Sequence, residues 1–352
     1  MKNCIFYSMK RLNSSLIKSL ASGIAKGDHG CLAKAITLAE SSRADHRDEV
    51  QSILNEIVKM RKEQCPSTDS LSSSSSLRIG VTGPPGAGKS TFIEALGLSL
   101  LQHTHSLPLA VLSVDPSSPI SGGAILGDLT RMHSLSLSPS VFVRGSPSRG
   151  VLGGVTQHIY EVMRLCELSG KEIILLESVG QGQSEIELHQ VVDMTILLLP
   201  PVGGDELQAS KKGIMEVADC VLISKGDGDL RERARQTRQE VTGAMKYVHK
   251  RYEGWTPPVM MISSATGEGV REVESVIKSF YECMREAGEI QRKRECQAKY
   301  WMWTHFRRKL VERGECSVAV QKCALSLIPL VEREALSPSI AAEELIETFL
   351  NR

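Results

Sequence analysis

The 352-residue chain is predicted to be an α/β protein with a mainly parallel sheet flanked by helices. Short apolar segments recur through its middle and alternate with helical stretches, which favours a parallel sheet covered on both faces. These segments are continuously apolar, which is typical of strands buried on both faces. The predicted strands are 77–82, 109–114, 141–143, 173–176, 195–199, 220–223 and 259–262, and the predicted helices are 90–103, 155–169, 184–192, 206–218, 230–252 and 270–287.

Helical sequence precedes this central region. Apolar residues recur at helical spacing, so residues 16–64 are predicted to form an N-terminal helical arm. Residues 65–76 are rich in serine, and such a composition predicts a linker without a core. The central domain is therefore expected over 77–288.

Residues 289–352 are helical in pattern and contain no predicted strand. Trp301 and Trp303 lie two positions apart, so on a helix their side chains face different directions. We expect one of them to fill the protomer core and the other to lie on a surface for a partner.

Composition and charge exclude several classes of function. Lys and Arg total 42 and Asp and Glu total 41, so the net charge of +1 lacks the basic field of a nucleic-acid binder. The best apolar run, Met194 to Val202, contains two prolines and is too short to cross a membrane. The nine cysteines show no metal-finger spacing and are expected to be reduced thiols. Neither nucleic acid nor a membrane is expected as a partner.

The N-terminal 27 residues are basic and contain serines, with no acid before Asp28. This composition is typical of a mitochondrial presequence, and it also fits an ordinary helix start with a basic end. Residues 1–15 are therefore a candidate targeting segment. The first interpretation places the protein in the mitochondrial matrix, and the second in the cytoplasm.

The sequence GPPGAGKS at 83–90 matches the phosphate-loop pattern G-x-x-x-x-G-K-[ST]. It follows a predicted strand and precedes a predicted helix, which is the context that the motif requires. Backbone N–H groups and the helix N-terminus favour phosphate there. Lys89 is expected to contact the β- and γ-phosphates and Ser90 to hold Mg²⁺. The predicted nucleotide-binding residues of this loop are Gly83, Pro84, Pro85, Gly86, Ala87, Gly88, Lys89, Ser90 and Thr91.

Acids at strand ends are candidates for a magnesium and water site, because Mg²⁺ prefers oxygen ligands. Glu177 ends an apolar strand and resembles the acid of a Walker B segment, with a plain exposed acid as the alternative. Asp115 also ends a strand and is placed to order Mg²⁺ or the attacking water, although Asp-Pro-Ser-Ser equally suits a turn or cap. Asp128 fits the first turn of a helix as well. Gly180 is placed to donate its N–H to a γ-phosphate.

The sequence SKGD at the end of a later strand resembles the N-K-x-D element with which GTPases bind guanine. A carboxylate accepts from guanine N1–H and N2–H₂, whereas adenine presents an acceptor there, a mismatch that costs about 1–3 kcal/mol. The last strand runs into SSA, where a GTPase supplies a backbone N–H to guanine O6; a simple serine-rich turn is the alternative. The predicted guanine-binding residues are Lys225, Asp227, Ser263, Ser264 and Ala265.

A charged, glycine-containing loop at 203–208 precedes Lys211 and Lys212. Loops of this kind suit an order–disorder switch. A partner that orders the loop would bring Lys211 or Lys212 toward the transferring phosphoryl group, where a cation stabilises the transition state. A solvated helix face is the alternative.

Three longer segments go beyond a generic phosphate loop: VDPSSPISGGAILGDLTRM at 114–132, ESVGQGQSE at 177–185 and LLLPPVGGDELQASKKGIMEVAD at 197–219. They closely resemble the MeaB/ArgK family of P-loop GTPases. The resemblance implies GTP and GDP binding, GTP hydrolysis that is slow alone and stimulated by a partner, and a chaperone that gates adenosylcobalamin loading and protection of methylmalonyl-CoA mutase. It also implies a homodimer formed through the C-terminal helices. The implied Mg²⁺ ligands are Ser90, Asp115, Asp128 and Glu177.

The sequence departs from the family pattern at a few positions. Ser178 and Gln181 differ from the usual ETVGVGQSE, and Leu129 stands where the family has Lys. Gly145 interrupts the usual RPSP, and Ser224 stands where Asn or Thr is usual. These departures bear on hydrolysis and coupling more than on nucleotide binding.

Two other classes share this phosphate loop. A P-loop small-molecule kinase predicts adenine selectivity, against which Lys225 and Asp227 argue. A nickel-type metallochaperone GTPase predicts clustered His and Cys ligands, whereas the nine histidines are scattered.

Overall fold

A seven-stranded parallel sheet forms the centre of the structure. Its strands are β1 Leu77–Thr82, β2 Leu109–Asp115, β3 Val141–Pro147, β4 Ile173–Glu177, β5 Met194–Leu199, β6 Cys220–Ile223 and β7 Val259–Met261. Their order is β3-β2-β4-β1-β5-β6-β7, and every neighbouring pair is parallel. The predicted α/β class with a mainly parallel sheet is confirmed.

The structure is a computed structural model that describes residues 14–41, 43–64, 76–103, 107–115, 132–147, 158–178, 184–201 and 212–351. Its α-helices are α1 Ser14–Ala25, α2 His29–Ala39, α3 Ala44–Gln64, α4 Lys89–His103, α5 His133–Ser136, α6 Ile159–Leu168, α7 Ser184–His189, α8 Lys212–Val217, α9 Arg231–Met245, α10 Val270–Glu286, α11 Glu289–Glu315, α12 Val318–Glu332 and α13 Pro338–Leu350. The chain divides into two units, Met1–Lys293 and Arg294–Arg352.

Apart from the four-residue helix α5, which was not predicted, the differences from the predicted elements of the central domain lie at their ends. β3 continues through Pro147, because its register with β2 extends to Asp115. α9 ends at Met245 rather than at residue 252, because the N–H groups of Lys246 and Tyr247 bond to carbonyls three residues back and close the last turn. Residues 155–157 and 206–211, which were predicted to be helical, lie outside the described residues.

Glu167, at the end of α6, is a buried acid that joins α6 to the start of β1. Its carboxylate accepts from Arg78 Nε at 2.8 Å, from Arg164 Nη1 at 2.6 Å and from Ser76 Oγ at 3.0 Å. Arg78 and Glu167 are almost fully buried, so either charge alone would be costly there. Ser76, which was predicted to belong to the linker, is thus part of the folded unit; residues 65–75 lie outside the described residues.

Two aspartates fix the amino ends of neighbouring strands in the same way. Asp193 accepts from the N–H of Arg78 at 2.9 Å and donates its own N–H to the Arg78 carbonyl at 2.8 Å. Asp219 makes the same pair of bonds with Thr195, both at 2.8 Å. Lys293 donates to the Asp193 carbonyl at 2.8 Å. This network holds the amino ends of β1 and β5 in place, at the edge of the sheet opposite to the strands' carboxyl ends.

Lys293 gives this network a measurable pH dependence. Burial lowers the pKa of Lys293 from 10.5 to about 8 in the folded state. Between these values the unfolded chain binds more protons than the folded chain, so stability rises with pH in that window. Lys293→Met lacks this titrating group. As the pH rises through the window, we therefore expect the unfolding free energy of the wild type to increase relative to that of Lys293→Met. Urea denaturation at pH values below, within and above the window measures this, and a constant difference would contradict it.

The C-terminal unit consists of most of α11 with α12 and α13. Trp301 is 6% exposed and Trp303 is 51% exposed, so the two indoles face different directions, as their spacing predicts. Phe306 and Leu310 continue the exposed apolar surface of α11. No single helix of the described residues is long and apolar enough to cross a membrane; only α11 and α12 taken together, bent by 70°, pass that test by length and composition.

Candidate nucleotide site

The loop between β1 and α4 has the backbone shape of a phosphate loop. Gly83, Gly86 and Gly88 have φ angles of +146°, +78° and +88°, which L side chains rarely adopt. A Cβ at Gly83 would lie 2.0 Å from the Leu198 carbonyl oxygen, so this glycine lets the loop pass against β5. The other two positions have open space and require glycine for their dihedral angles alone.

Lys89 and Ser90 begin α4 and lie at the end of this loop. Lys89 Nζ donates to the carbonyl oxygens of Gly83 at 2.9 Å and Pro84 at 3.2 Å, so its ammonium lies against the loop. The Ser90 hydroxyl donates to Glu177 Oε1 at 2.7 Å. Glu177 is 7% exposed and therefore is not a plain exposed acid at a strand end. A hydroxyl and a carboxylate held together beside a phosphate loop are oxygen donors of the type that Mg²⁺ takes.

The sheet register brings the predicted acidic residues to one edge. Glu177 is paired with Val81 of β1 on one side and with Ser113 of β2 on the other. The backbone of Asp115 ends β2 two residues beyond Ser113. β2 and β4 are neighbouring parallel strands, so Asp115 and Glu177 lie at the same edge of the sheet. Nothing is described of the Asp115 side chain, and Asp128, Gly180 and Lys211 lie outside the described residues, so their roles stay predictions.

The SKGD segment follows β6, at the same edge of the sheet but on the other side of β1. Ser224 is buried; its N–H and its hydroxyl donate to the Leu199 carbonyl at 2.8 and 3.2 Å. Ser224 therefore still anchors the loop to β5. Lys225 has a φ of +54°, exceptional for a residue with a side chain, and is exposed. Asp227 is half-buried and precedes the short turn of 3₁₀-helix Gly228–Leu230.

Gly226 joins this segment to the start of the SSA segment, the other predicted guanine-binding segment. Its N–H donates to the Ile262 carbonyl at 2.8 Å, and a Cβ there would lie 2.6 Å from Met261 Cγ. A side chain at this position would require Met261 or the SKGD segment to move. Sequence reasoning passed over Gly226; its place between Lys225 and Asp227 was the available signal.

The SSA segment after β7 is a tight turn rather than an open loop. Ser263 is buried; its carbonyl accepts from the Gly267 N–H at 2.9 Å and its hydroxyl from the Thr266 N–H at 3.2 Å. Ser264 is half-buried and Ala265 is exposed. The turn also fits the serine-rich alternative, but its link to Gly226 places it beside SKGD.

Ser178 shows how one departure from the family pattern is accommodated. Its hydroxyl donates to Thr82 Oγ1 at 2.8 Å and its N–H to the Val81 carbonyl at 3.1 Å, and both side chains are buried. The hydroxyl that Thr would provide is therefore retained. At Gly145 a Cβ would come no closer than 3.7 Å to Ser113 Oγ, so the backbone does not require glycine for space. Gln181 and Leu129 lie outside the described residues.

A cavity of about 520 Å³ lies at the opposite edge of the sheet, near the amino ends of β6 and β7. Its walls come from the end of α8 and the residues before β6, from the end of α9, and from residues between 246 and 259. No predicted site residue lines it. Among the described residues, no group of three or more His, Cys, Asp or Glu side chains is arranged to hold a metal.

A phosphate loop joined to a Walker B acid, with a K-x-D segment at the same sheet edge, defines a P-loop GTPase. The family model "Methylmalonyl Co-A mutase-associated GTPase MeaB" matches residues 32–318. The chain therefore belongs to the MeaB family.

Known relatives agree with this assignment over nearly the whole chain. A mouse protein named "Methylmalonic aciduria type A homolog, mitochondrial" is 43% identical over 96% of this chain and 80% of its own length. The Escherichia coli GTPase ArgK is 35% identical over 96% of this chain and 97% of its own. The crystal structure titled as a LAO/AO transport system kinase is 29% identical, with a TM-score of 0.69 over 97% of this chain and 100% of that one.

We expect Lys89→Ala to weaken nucleotide binding by about 100-fold while the fold stays intact, because a buried charge-assisted contact is lost. Titration with fluorescent GDP measures the affinity, and circular dichroism checks the fold. Lys278→Ala, in an exposed position of α10, is the matched control. A folded Lys89→Ala protein with wild-type affinity would rule out this loop as the phosphate site.

We expect Asp227→Asn to weaken GTP binding by about 10- to 100-fold and to improve xanthosine triphosphate binding, because the amide donates where the carboxylate accepts. Competition between the two nucleotides for fluorescent GDP gives the ratio of affinities. Asp229→Asn, two residues along on the exposed 3₁₀ turn, is the control. An unchanged preference for GTP would show that Asp227 does not contact the base.

Proposed function

We propose that this GTPase gates the loading of adenosylcobalamin onto methylmalonyl-CoA mutase and protects the loaded mutase. Membership of a family described as mutase-associated, over residues 32–318, is the observation that carries the proposal. The name of the mouse relative points to the same metabolic step. GTP binding would then select the partner state that accepts or retains the cofactor.

In the proposed reaction, a water oxygen attacks the γ-phosphorus of GTP and the bond to the β-phosphate oxygen breaks, giving GDP and phosphate. Lys89 holds the β- and γ-phosphates, and the loop N–H groups surround them. Asp115 orients the water, and Gly180 donates to the γ-phosphate. Most of the rate enhancement comes from positioning and from charge placed before the reaction.

Ser90 and Glu177 are proposed to hold Mg²⁺, together with Asp115 and Asp128. The 2.7 Å contact between the Ser90 hydroxyl and Glu177 supports this, because it holds two oxygen donors at the end of the phosphate loop. The ion would neutralise charge on the phosphate oxygens. Glu177 is kept in place by burial and by the end of β4.

Partner stimulation is proposed to act through the loop before α8. The mutase would order residues 203–212 and bring Lys211 or Lys212 toward the phosphoryl group. Arg144, another cation near this edge, is engaged by Glu40 at 2.6 Å. That contact makes Arg144 a poor source of the activating charge.

The most informative experiment is a titration with GTP and ATP, each with and without methylmalonyl-CoA mutase. We expect GTP to bind more tightly than ATP and its hydrolysis to rise when the mutase is added. Lys211→Ala/Lys212→Ala should keep GTP binding and lose the stimulation. Lys246→Ala/Lys250→Ala, on exposed positions near the opposite edge, is the control pair. Stimulation that survives in Lys211→Ala/Lys212→Ala would place the activating charge elsewhere.

A homodimer is proposed through the C-terminal unit. The exposed indole of Trp303 and the neighbouring Phe306 supply the large apolar contacts that dimer interfaces use. Trp303→Glu should weaken the dimer at least about 10-fold without damaging the protomer, because the side chain is not part of its core. Sedimentation measures the effect, with Tyr247→Glu, 93% exposed on the other unit, as the control. Equal dimer stability in wild type and Trp303→Glu would exclude this surface.

The mitochondrial matrix is proposed as the location. The basic, acid-free N-terminal sequence and the mitochondrial name of the mouse relative support it. Imaging of the tagged full chain, with and without residues 1–15, tests this.

A further inference from the structure

The N-terminal helix α2 lies alongside the edge strand β3 and contacts both of its ends. α2 has 11 residues and is about 16 Å long, and β3 has 7 residues and is about 23 Å long, so the helix can reach along most of the strand. His29, which begins α2, packs edge-on against Phe142 with ring centroids 5.6 Å apart. Glu40, which directly follows α2, contacts residues near the end of β3. The two contacts are therefore spread along the strand.

The amino-end contact is made by a buried lysine. Lys171 Nζ lies 2.7 Å from His29 Nε2 and donates to the Ser140 carbonyl at 3.2 Å. Burial lowers the pKa of His29, which favours the neutral ring that accepts from an ammonium. This contact fixes the start of α2 beside the residue that precedes β3.

The carboxyl-end contact centres on Glu40, which is 8% exposed. One carboxylate oxygen accepts from Arg144 Nη2 at 2.6 Å, and the other accepts from the hydroxyl of the buried Ser146. Arg144 also donates to Thr37 Oγ1 at 3.2 Å, one turn earlier on α2. Both oxygens of one helix-terminal acid are thus used to hold the end of a single strand.

The end of β3 leads directly to the proposed catalytic edge. Ser146 is paired with Val114 and Pro147 with Asp115. On its other side β2 is paired with β4, where Ser113 lies opposite Glu177. Among the described strands β3 has only β2 as a neighbour, so side-chain contacts from outside the sheet weigh heavily on its position. One side-chain contact and one strand pair therefore lead from Glu40 through Ser146 to Val114, the residue before Asp115.

We propose that Glu40 is a positioning residue for GTP hydrolysis: it holds the carboxyl end of β3 and, through it, the Asp115 end of β2. This rests on the proposed role of Asp115. The N-terminal helices thereby become part of the hydrolytic machinery rather than a separate appendage. The predicted guanine-binding segments SKGD and SSA follow β6 and β7, on the other side of β1 from β3. Glu40 should therefore influence hydrolysis and leave nucleotide affinity largely unchanged.

The test compares GTP hydrolysis under single turnover, fluorescent GDP affinity and melting temperature for variants of the full chain. Glu40→Ala should slow hydrolysis about 3- to 30-fold, the range found for residues that act through others, with GDP affinity within about twofold. Ser146→Ala, a milder change, should slow it in the same direction. Glu40→Ala/Ser146→Ala should be no slower than Glu40→Ala, because both changes break one linkage. Glu40→Gln, which keeps the shape and one acceptor, should recover part of the rate.

Arg61→Ala is the matched control, because it removes a contact that the N-terminal helices make with the end of α6 rather than with β3. Arg61 Nη2 donates to the Leu168 carbonyl at 3.0 Å, at the end of α6 that precedes β4. This variant should lose stability and keep the hydrolysis rate. Wild-type hydrolysis in folded Glu40→Ala, or an equal loss in Arg61→Ala, would overturn the proposal; if Glu40→Ala does not fold, Ser146→Ala decides.

Asp115→Asn, measured in parallel, separates this proposal from the function it rests on. Unchanged hydrolysis in Asp115→Asn would mean that the proposed role of Asp115 is wrong. Loss in Asp115→Asn with no loss in Glu40→Ala or Ser146→Ala would mean that only the positioning role is wrong.

Discussion

The hydrogen bond from Ser90 to Glu177, 2.7 Å long, is the interaction on which the phosphate half of the site depends. It joins the first turn of α4 to the end of β4, and the phosphate loop lies between β1 and that turn. Both side chains are nearly buried, so leaving either without its partner would cost about 1–3 kcal/mol. The loop is therefore held from two sides: by this bond, and by the close approach of Gly83 to β5.

Strand order explains why the rest of the sheet supports this edge unequally. β1 is interior and is paired on both sides, whereas β3 is an edge strand that has one neighbour among the described strands. The interior strands β1 and β5 are fixed by hydrogen bonds to the strands on both sides and, at their amino ends, by Asp193 and Asp219. β3 depends in addition on side chains from α2. α2 begins beside Lys171 and is followed by Glu40, which contacts Ser146, so this helix is linked to both ends of β3.

The features that could be predicted from the sequence are those that leave a local pattern in it. Unbroken apolar runs identified the strands, and glycine and lysine spacing identified the phosphate loop. Glu177 followed from an acid at a strand end. Contacts between distant residues were beyond reach: Glu40 and Ser146 are 106 positions apart, and Gly226 is constrained by Met261 across a strand pair. No composition or period marks such pairs, because they arise only when the sheet forms. Asp128, Gly180 and Lys211, outside the described residues, stay predictions.

The division of the site by β1 bears on how the protein distinguishes its two nucleotides. The SKGD and SSA segments are tied to each other and to β5, and neither is bonded to the phosphate loop by any contact described above. GDP and GTP carry the same base, so whatever free energy these segments contribute cancels from the ratio of the two affinities. In the proposed site, the ratio of the two affinities is set by the groups that contact the phosphates, which follow β1, β2, β4 and β5. Mutations in SKGD or SSA should change the affinities for GDP and GTP by the same factor. They should leave the ratio of the two affinities unchanged.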